Sequence, residues 1–420
     1  MKKISFLVLV SLLTGAIYAQ DALKEVKLMA AKQDWLKAKT AIDKVLADPK
    51  TANLPEAWYW KGGVYNSLAS NPELKKACTD CRMDAFEALK KYQQLDPSNK
   101  EMKDDKNAFL FDMYGKYFDD AIACFGTNDY AGALINFKNA LIVKEYVYGK
   151  GFESQTGFKF PALDTSLILN CAIAARNDKK DDLAMPYYQI LADANVAEDK
   201  FLEVYEILAD YYAEKKDMPA FEAAIEKGRA IFPKEEYWEA KDLETQIKGV
   251  EKPQLFDVYE KMVGKYPASY DVMHYYSVEL FRYIYSDDAK GINLESYKTK
   301  LKLVMQKALE IQSSAEMNYL AATYYYNNWY DTDQEAKLIK GTKPDDVKKK
   351  KDLIDASKKD LDASIPLAEK VIELISKLEK MKPLEKSNLK QSYGILADAY
   401  QVKGNAAKAL EYKTKRDAVL

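Results

Sequence analysis

The chain has 420 residues, with 63 Lys and Arg against 65 Asp and Glu, a single His, four Cys, 16 Gly and 13 Pro. Gly and Pro together make roughly 7% of it where about 12% is usual, which excludes collagen-like or long low-complexity sequence and argues against a turn-rich all-β fold. Apolar residues at 48% exclude global disorder, and the net charge of −2 gives no general attraction to nucleic acid or to an anionic membrane. The lone His274 removes His-cluster metal sites and leaves little material for a Ser/His/Asp or Cys/His catalytic set.

In chain order, Lys2 and Lys3 precede an apolar run over residues 4–13, and Thr14-Gly15-Ala16-Ile17-Tyr18-Ala19 leads to Gln20. A run this short cannot span roughly 30 Å of hydrocarbon as an anchor, so residues 1–19 read as a secretory signal cleaved after Ala19. No Cys stands near the cut to carry a lipid, and no later segment approaches 18 uninterrupted apolar residues. The mature chain is therefore expected to carry no transmembrane segment.

From residue 22 onward the apolar spacing is helical, and it comes in pairs. Trp35, Ala38, Ile42 and Val45 form the second helix of a degenerate first pair. Trp58, Gly62 and Tyr65 precede Ala85, Leu89, Tyr92 and Pro97; Tyr117, Ala121 and Cys124 lead through Asn128 to Tyr130, Ala133, Phe137 and Ala140. Tyr205, Leu208, Ala209 and Tyr212 lead to Phe221, Ile225, Gly228 and Pro233, and Leu301, Met305 and Ala308 precede Met317, Leu320, Ala321 and Tyr324. In the clearest window, 389–416, Tyr393, Leu396, Ala397 and Tyr400 fall on one stripe, Gly404-Asn405 breaks the helix, and Ala406, Ala409 and Leu410 start a second. Interruptions fall near 66–77, 98–112, 144–163, 285–294 and 332–356.

These windows resemble the tetratricopeptide repeat (TPR), a helix-turn-helix unit of 34 residues with an aromatic, large, small, aromatic first helix. The resemblance covers most of residues 22–420. It implies an all-α chain, a right-handed α-solenoid of about nine TPR-like helix-turn-helix pairs, because one unit cannot bury its own apolar face and stacked neighbours supply the core. Pro253 marks a division into an N-terminal TPR-like array, 20–250, and a continuous C-terminal array, 251–420.

Candidate chemistry is sparse. Cys78 and Cys81 form C-x-x-C at a helix start; a helix N-terminus can stabilise a thiolate, but redox pairs of the thioredoxin kind come with a βαβ context, so a structural disulfide closing the inserted loop is the favoured reading. Zinc would need two further ligands, and none is suitably spaced. Cys124 and Cys171 stand at core positions of first helices and read as small buried hydrophobes. His274, among aromatics, reads as a packed side chain; the pairs Asp119/Asp120 and Asp181/Asp182 sit at solvated faces or turns. The run Lys348–Lys351 is interleaved with Asp345, Asp346, Asp352, Asp355 and Asp360, which reads as a solvated helical linker. There is no nucleotide-binding motif.

What the resemblance implies for function is a non-enzymatic scaffold, without cofactor, catalytic residue or metal, that binds a peptide or protein partner in the concave TPR groove. Export would place it in the periplasm or at the outer membrane of a bacterial cell envelope and away from nucleic acid. First-helix positions left free by the packing stripe are Tyr59, Asn66, Phe118, Phe125, Arg176, Asp210, Asn318, Tyr325, Tyr326 and Asp398. The alternative is a helical glycan- or nutrient-binding protein at the outer membrane, stacking sugars on its 31 Tyr. Protein purified from its native envelope should begin near Gln20 on N-terminal sequencing; a start at Met1 would remove the signal assignment.

Overall fold

A computed structural model of the chain describes residues 22–419; the expected signal, 1–19, lies outside them. The described residues contain nineteen α-helices and no strand, so the all-α fold is the one adopted. They form two compact units that divide between Pro233 and Lys234. The division precedes the 250/251 boundary drawn from Pro253, because the helix after Pro233 packs with the helices that follow it.

In the first unit the pairs are α1 (Lys24–Ala31) with α2 (Trp35–Ala47), α3 (Pro55–Ala69) with α4 (Cys81–Leu95), and, after the short α5 (Lys100–Asp104), α6 (Ala108–Gly126) with α7 (Tyr130–Gly149). Then come α8 (Thr165–Asn177) with α9 (Asp181–Asp193) and α10 (Leu202–Lys215) with α11 (Met218–Ile231). The second unit holds α12 (Tyr237–Ile247) with α13 (Gln254–Lys265), α14 (Tyr270–Ile284) with α15 (Glu295–Ile311), α16 (Ala315–Leu338) with α17 (Pro344–Ile375), and α18 (Pro383–Val402) with α19 (Ala406–Asp417).

One turn recurs in five of these pairs. The first helix ends on a left-handed residue, Gln33, Asn128, Lys179, Lys216 or Gly404, with φ between 57° and 76°. Its N–H and the next one close back on the last carbonyls in the same pattern each time: Asn128 to Phe125 and Asp129 to Cys124, Lys216 to Ala213 and Asp217 to Tyr212, Gly404 to Gln401 and Asn405 to Tyr400. That double closure satisfies carbonyls a helix end otherwise leaves open. In four of the five, the following Asp34, Asp129, Asp217 or Asn405 caps the second helix, accepting from the N–H three residues on.

Small residues then let the helices meet. A Cβ on Gly62 would lie 2.5 Å from Leu89 Cδ2 of the partner helix, and one on Gly63 would lie 2.7 Å from Phe109 Cζ of the next first helix. Ala121, Ala172, Ala209 and Ala321 hold comparable buried positions. The stripe residues Tyr117, Phe137, Tyr205, Leu208, Phe221, Ile225, Met317 and Leu396 are all buried. Other expected stripe positions are not: Leu410 is 66% exposed, with no described helix covering that side of α19, Ala406 is exposed, and Tyr212, Leu320, Tyr393, Tyr400 and Cys124, at the turn end of α6, are only partly buried.

The interruptions are folded too. Most of 332–356 is helix, since α16 runs on to Leu338 and α17 starts at Pro344, lengthening one antiparallel pair instead of forming a separate linker. The segment after α7 is tied down by Lys144, whose fully buried Nζ donates to the carbonyl of Ala162 (2.7 Å) and to Glu145 Oε1 (2.9 Å), while Phe160 stacks on Phe111. Ala209→Phe should force α10 from α11 and cost about 1–3 kcal/mol, and Asp217→Ala should cost about 1 kcal/mol through the lost cap. Lys349→Ala, in an exposed pair with Glu335, should change urea unfolding hardly at all; equal effects from all three would disprove this register.

Candidate functional site

Successive first helices touch within each unit. In the first, Asn66 Nδ2 on α3 donates to Asp112 Oδ2 on α6 (2.6 Å), Tyr59 packs on Phe109, and the Tyr114 hydroxyl reaches Asp164 Oδ2, the cap of α8 (3.2 Å). In the second, His274 Nε2 on α14 lies 3.7 Å from Glu316 Oε2 on α16, and the Tyr326 hydroxyl on α16 donates to Asp398 Oδ2 on α18 (2.6 Å). These contacts join residues 42 to 72 positions apart and build a first-helix face one pair at a time.

The sequence-expected groove residues divide on this face. Arg176 and Asp398 are exposed, and Phe118, Phe125, Asp210 and Tyr326 are partly so. Phe118 packs edge-on to Phe137, Phe125 edge-on to Tyr130, and burial together with Asp398 raises the Tyr326 phenol. The Arg176 guanidinium lies close enough to Tyr188 to oppose the rise that burial imposes on that phenol. Tyr59 donates to Asp105 Oδ2 (2.6 Å), and burial lifts the Asp105 carboxyl above its ordinary range.

Three expectations are corrected. Asn66 and Asn318 are each 3% exposed, so neither faces a groove: Asn66 is used by Asp112, and Asn318 Nδ2 donates to Ser313 Oγ (2.8 Å) and the Ser314 carbonyl (2.7 Å) at the start of α16. Tyr325 turns the other way, into an open cleft of about 510 Å³ lined by Met305 and Lys302 of α15 and Pro366 of α17, with the Lys302 ammonium 5.5 Å from its ring centre. One helical position separates Tyr325 from Tyr326, which is about 100° of rotation and enough to send them to different faces.

Cys78 and Cys81 are joined by a disulfide with Cα atoms 5.2 Å apart; Cys124 and Cys171 carry free thiols. Burial pushes the Cys171 thiol up to about 12, and burial also raises the Cys124 thiol. His274 stacks on Tyr270 with ring centres 5.5 Å apart. Asp182 accepts from Tyr211 (2.7 Å) and Lys215 (3.1 Å), which hold its carboxyl below the usual range. Among the described residues, no group of three or more His, Cys, Asp or Glu is placed to hold a metal, and no helix is long and apolar enough to cross a membrane.

Sequence reasoning missed Arg82 and Lys144, the most deeply buried cations among the described residues of the first unit. Arg82 is 5% exposed, its NH1 donating to Asp120 Oδ2 (2.6 Å) beneath the Tyr117 ring. Each stands beside packing-stripe residues, so the one available signal was a charge inside an apolar register.

No protein-family model matches the chain, and no curated protein matches it. Among solved structures, the human IFIT1 dimer with m7Gppp-AAAA aligns over 93% of this chain and 79% of its own, at 13% identity and a TM-score of 0.20. A monomeric IFIT1 mutant with Gppp-AAAA aligns over 94% and 80%, at 13% identity and a TM-score of 0.20. Similarity this low carries no inference about the ligand of this chain.

The thiols give a direct check of the site geometry. Iodoacetamide on the native protein at pH 8 should label Cys124 well before Cys171, because burial denies Cys171 its thiolate; Cys78 and Cys81 should label only after reduction. Equal labelling of Cys124 and Cys171 in peptide mass spectra would show that α8 is not packed as described.

Proposed function

We propose that the chain is a non-enzymatic interaction scaffold, exported to the bacterial cell envelope, that holds a peptide or protein partner along its first-helix face. The observation supporting this reading is the Tyr326–Asp398 bridge between α16 and α18. It joins the first helices of two successive pairs while keeping a carboxylate exposed. Arg176 offers a guanidinium on the corresponding helix of the other unit. Aromatic and guanidinium groups of this kind dominate interface energetics, and extended chains suit a face assembled from repeats. The step from repeat fold to binding role is by analogy, and the envelope location rests on the signal-like segment alone.

A second recognition surface comes from the last turn of α7 and the segment after it. Tyr148 and Phe158 are exposed there, while Tyr146 is held by Gln93 (2.6 Å) and Phe86. Recognition by that edge competes with recognition by the first-helix face. A glycan-binding role is the further alternative and would use the same exposed aromatics.

Crosslinked pull-down from an envelope fraction, read by mass spectrometry, discriminates among these. Arg176→Ala and Asp398→Ala should each weaken capture by about 1 kcal/mol or more with little change in thermal unfolding. Tyr148→Ala with Phe158→Ala should leave capture intact. The reverse result would move recognition to the α7 edge, and selective binding on a glycan array without protein capture would replace the scaffold reading.

A further inference from the structure

An open cleft of about 510 Å³ lies in the first unit between the turn that precedes α4 and the helices α6 and α7. Its walls include Lys75, Lys76, the Cys78–Cys81 disulfide, Arg82, Asp120 and Asn136. The two carboxylates of the cleft are engaged. Asp80 caps α4 through the Met83 N–H (3.0 Å) and accepts from the Tyr117 hydroxyl, and Asp120 holds Arg82 NH1 at 2.6 Å. The cations are not all matched. Lys75 and Lys76 are exposed and carry no ion pair among the described residues. Arg82 is more than nine-tenths buried, bonded to Asp120 and to the Ala69 carbonyl, and its charge is held inside the wall of the cleft.

The cleft carboxylates are spent on the α4 cap, Tyr117 and Arg82, so no side chain there offsets the Lys75 and Lys76 charges, and a negatively charged oxygen group would supply the missing partner. We propose that this cleft binds an oxyanion, a carboxylate or a phosphoryl group, and that the Cys78–Cys81 disulfide holds Lys75 and Lys76 in place for it. The link to the disulfide is short in the chain and in space. Lys75–Ala77 is a single 3-10 turn leading into Cys78, and Cys81 Sγ lies 3.8 Å from the Lys75 carbonyl oxygen. With the bond closed, the turn is tied to the first residue of α4; with it open, only the peptide chain connects them. The inference is independent of the first-helix face, and none of its residues is among those tested there.

Isothermal titration of the oxidised full chain with citrate and, separately, with inorganic phosphate at low ionic strength tests it. Saturable binding of either probe is expected, with citrate preferred if the source is a carboxylate ligand and phosphate preferred if it is a phosphorylated one. Lys75→Ala with Lys76→Ala should weaken the preferred probe by about fivefold or more, since two exposed charge contacts are lost, with the far-UV circular dichroism unchanged. Reduction by dithiothreitol breaks the S–S bond, gives each sulfur one electron and one proton, and closes the reagent to its own cyclic disulfide; the reduced chain should bind measurably more weakly. The Cys78→Ser, Cys81→Ser chain should match the reduced one. Absence of saturable heat with both probes, or equal affinity in the double lysine variant, would overturn the site, as an adventitious ion would give. Equal affinity before and after reduction would overturn the role of the disulfide.

Discussion

The structure depends on a turn that closes a helix and starts the next within two residues. A left-handed residue lets two successive N–H groups return to the carbonyls of the ending helix, and an Asp or Asn beside it supplies the acceptor for the starting one. Because both helix ends are satisfied locally, the turn by itself is compatible with an antiparallel pair. Gln and Lys occupy the left-handed position in three cases and accept its strain, which Gly404 avoids. The strain is local and small, and the helix pair it produces buries apolar surface worth several times more.

Pairing alone leaves each unit with an apolar flank. Stacking covers it through two kinds of contact, packing where Gly63 admits Phe109, and polar bridges such as Asn66 to Asp112 and Tyr326 to Asp398. The bridges fix register, since a hydrogen bond across two helices tolerates less sliding than apolar contact does. On α19, whose outer side no described helix covers, Leu410 is left in solvent. Deviations from the simple pair serve the same packing. The disulfide loop before α4, the Lys144-anchored segment after α7 and the lengthened α16–α17 pair each add surface without breaking the succession of helices.

Function on such a scaffold comes from what the packing leaves over. A first-helix side chain is available to a partner only if the packing leaves it exposed, and that differs from one pair to the next. Arg176 and Asp398 stay exposed while contacting Tyr188 and Tyr326; Asn66 and Asn318 have been absorbed by the fold. The charged residues around the disulfide follow the same rule, with Asp80 and Asp120 taken up and Lys75 and Lys76 left.

Helical periodicity, the small residues at close approaches and the Asn128 and Gly404-Asn405 breaks made the all-α paired fold legible in the sequence, because each is a local property of a dozen residues or fewer. The same spacing placed Ala209, Phe221 and Leu396 correctly in the core. It could not separate Tyr325 from Tyr326, since both lie on a helix buried by neighbours on two sides and the deciding contacts come from Lys302 and Asp398, far away in the chain. Nor could it find Arg82 or Lys144, whose burial depends on Asp120 and Ala162 arriving from other segments to satisfy their charge. Local hydrogen bonding and apolar spacing were thus written in the sequence, whereas the availability of each polar side chain was decided by tertiary structure, because a buried donor or charge is tolerated only where a distant partner completes it.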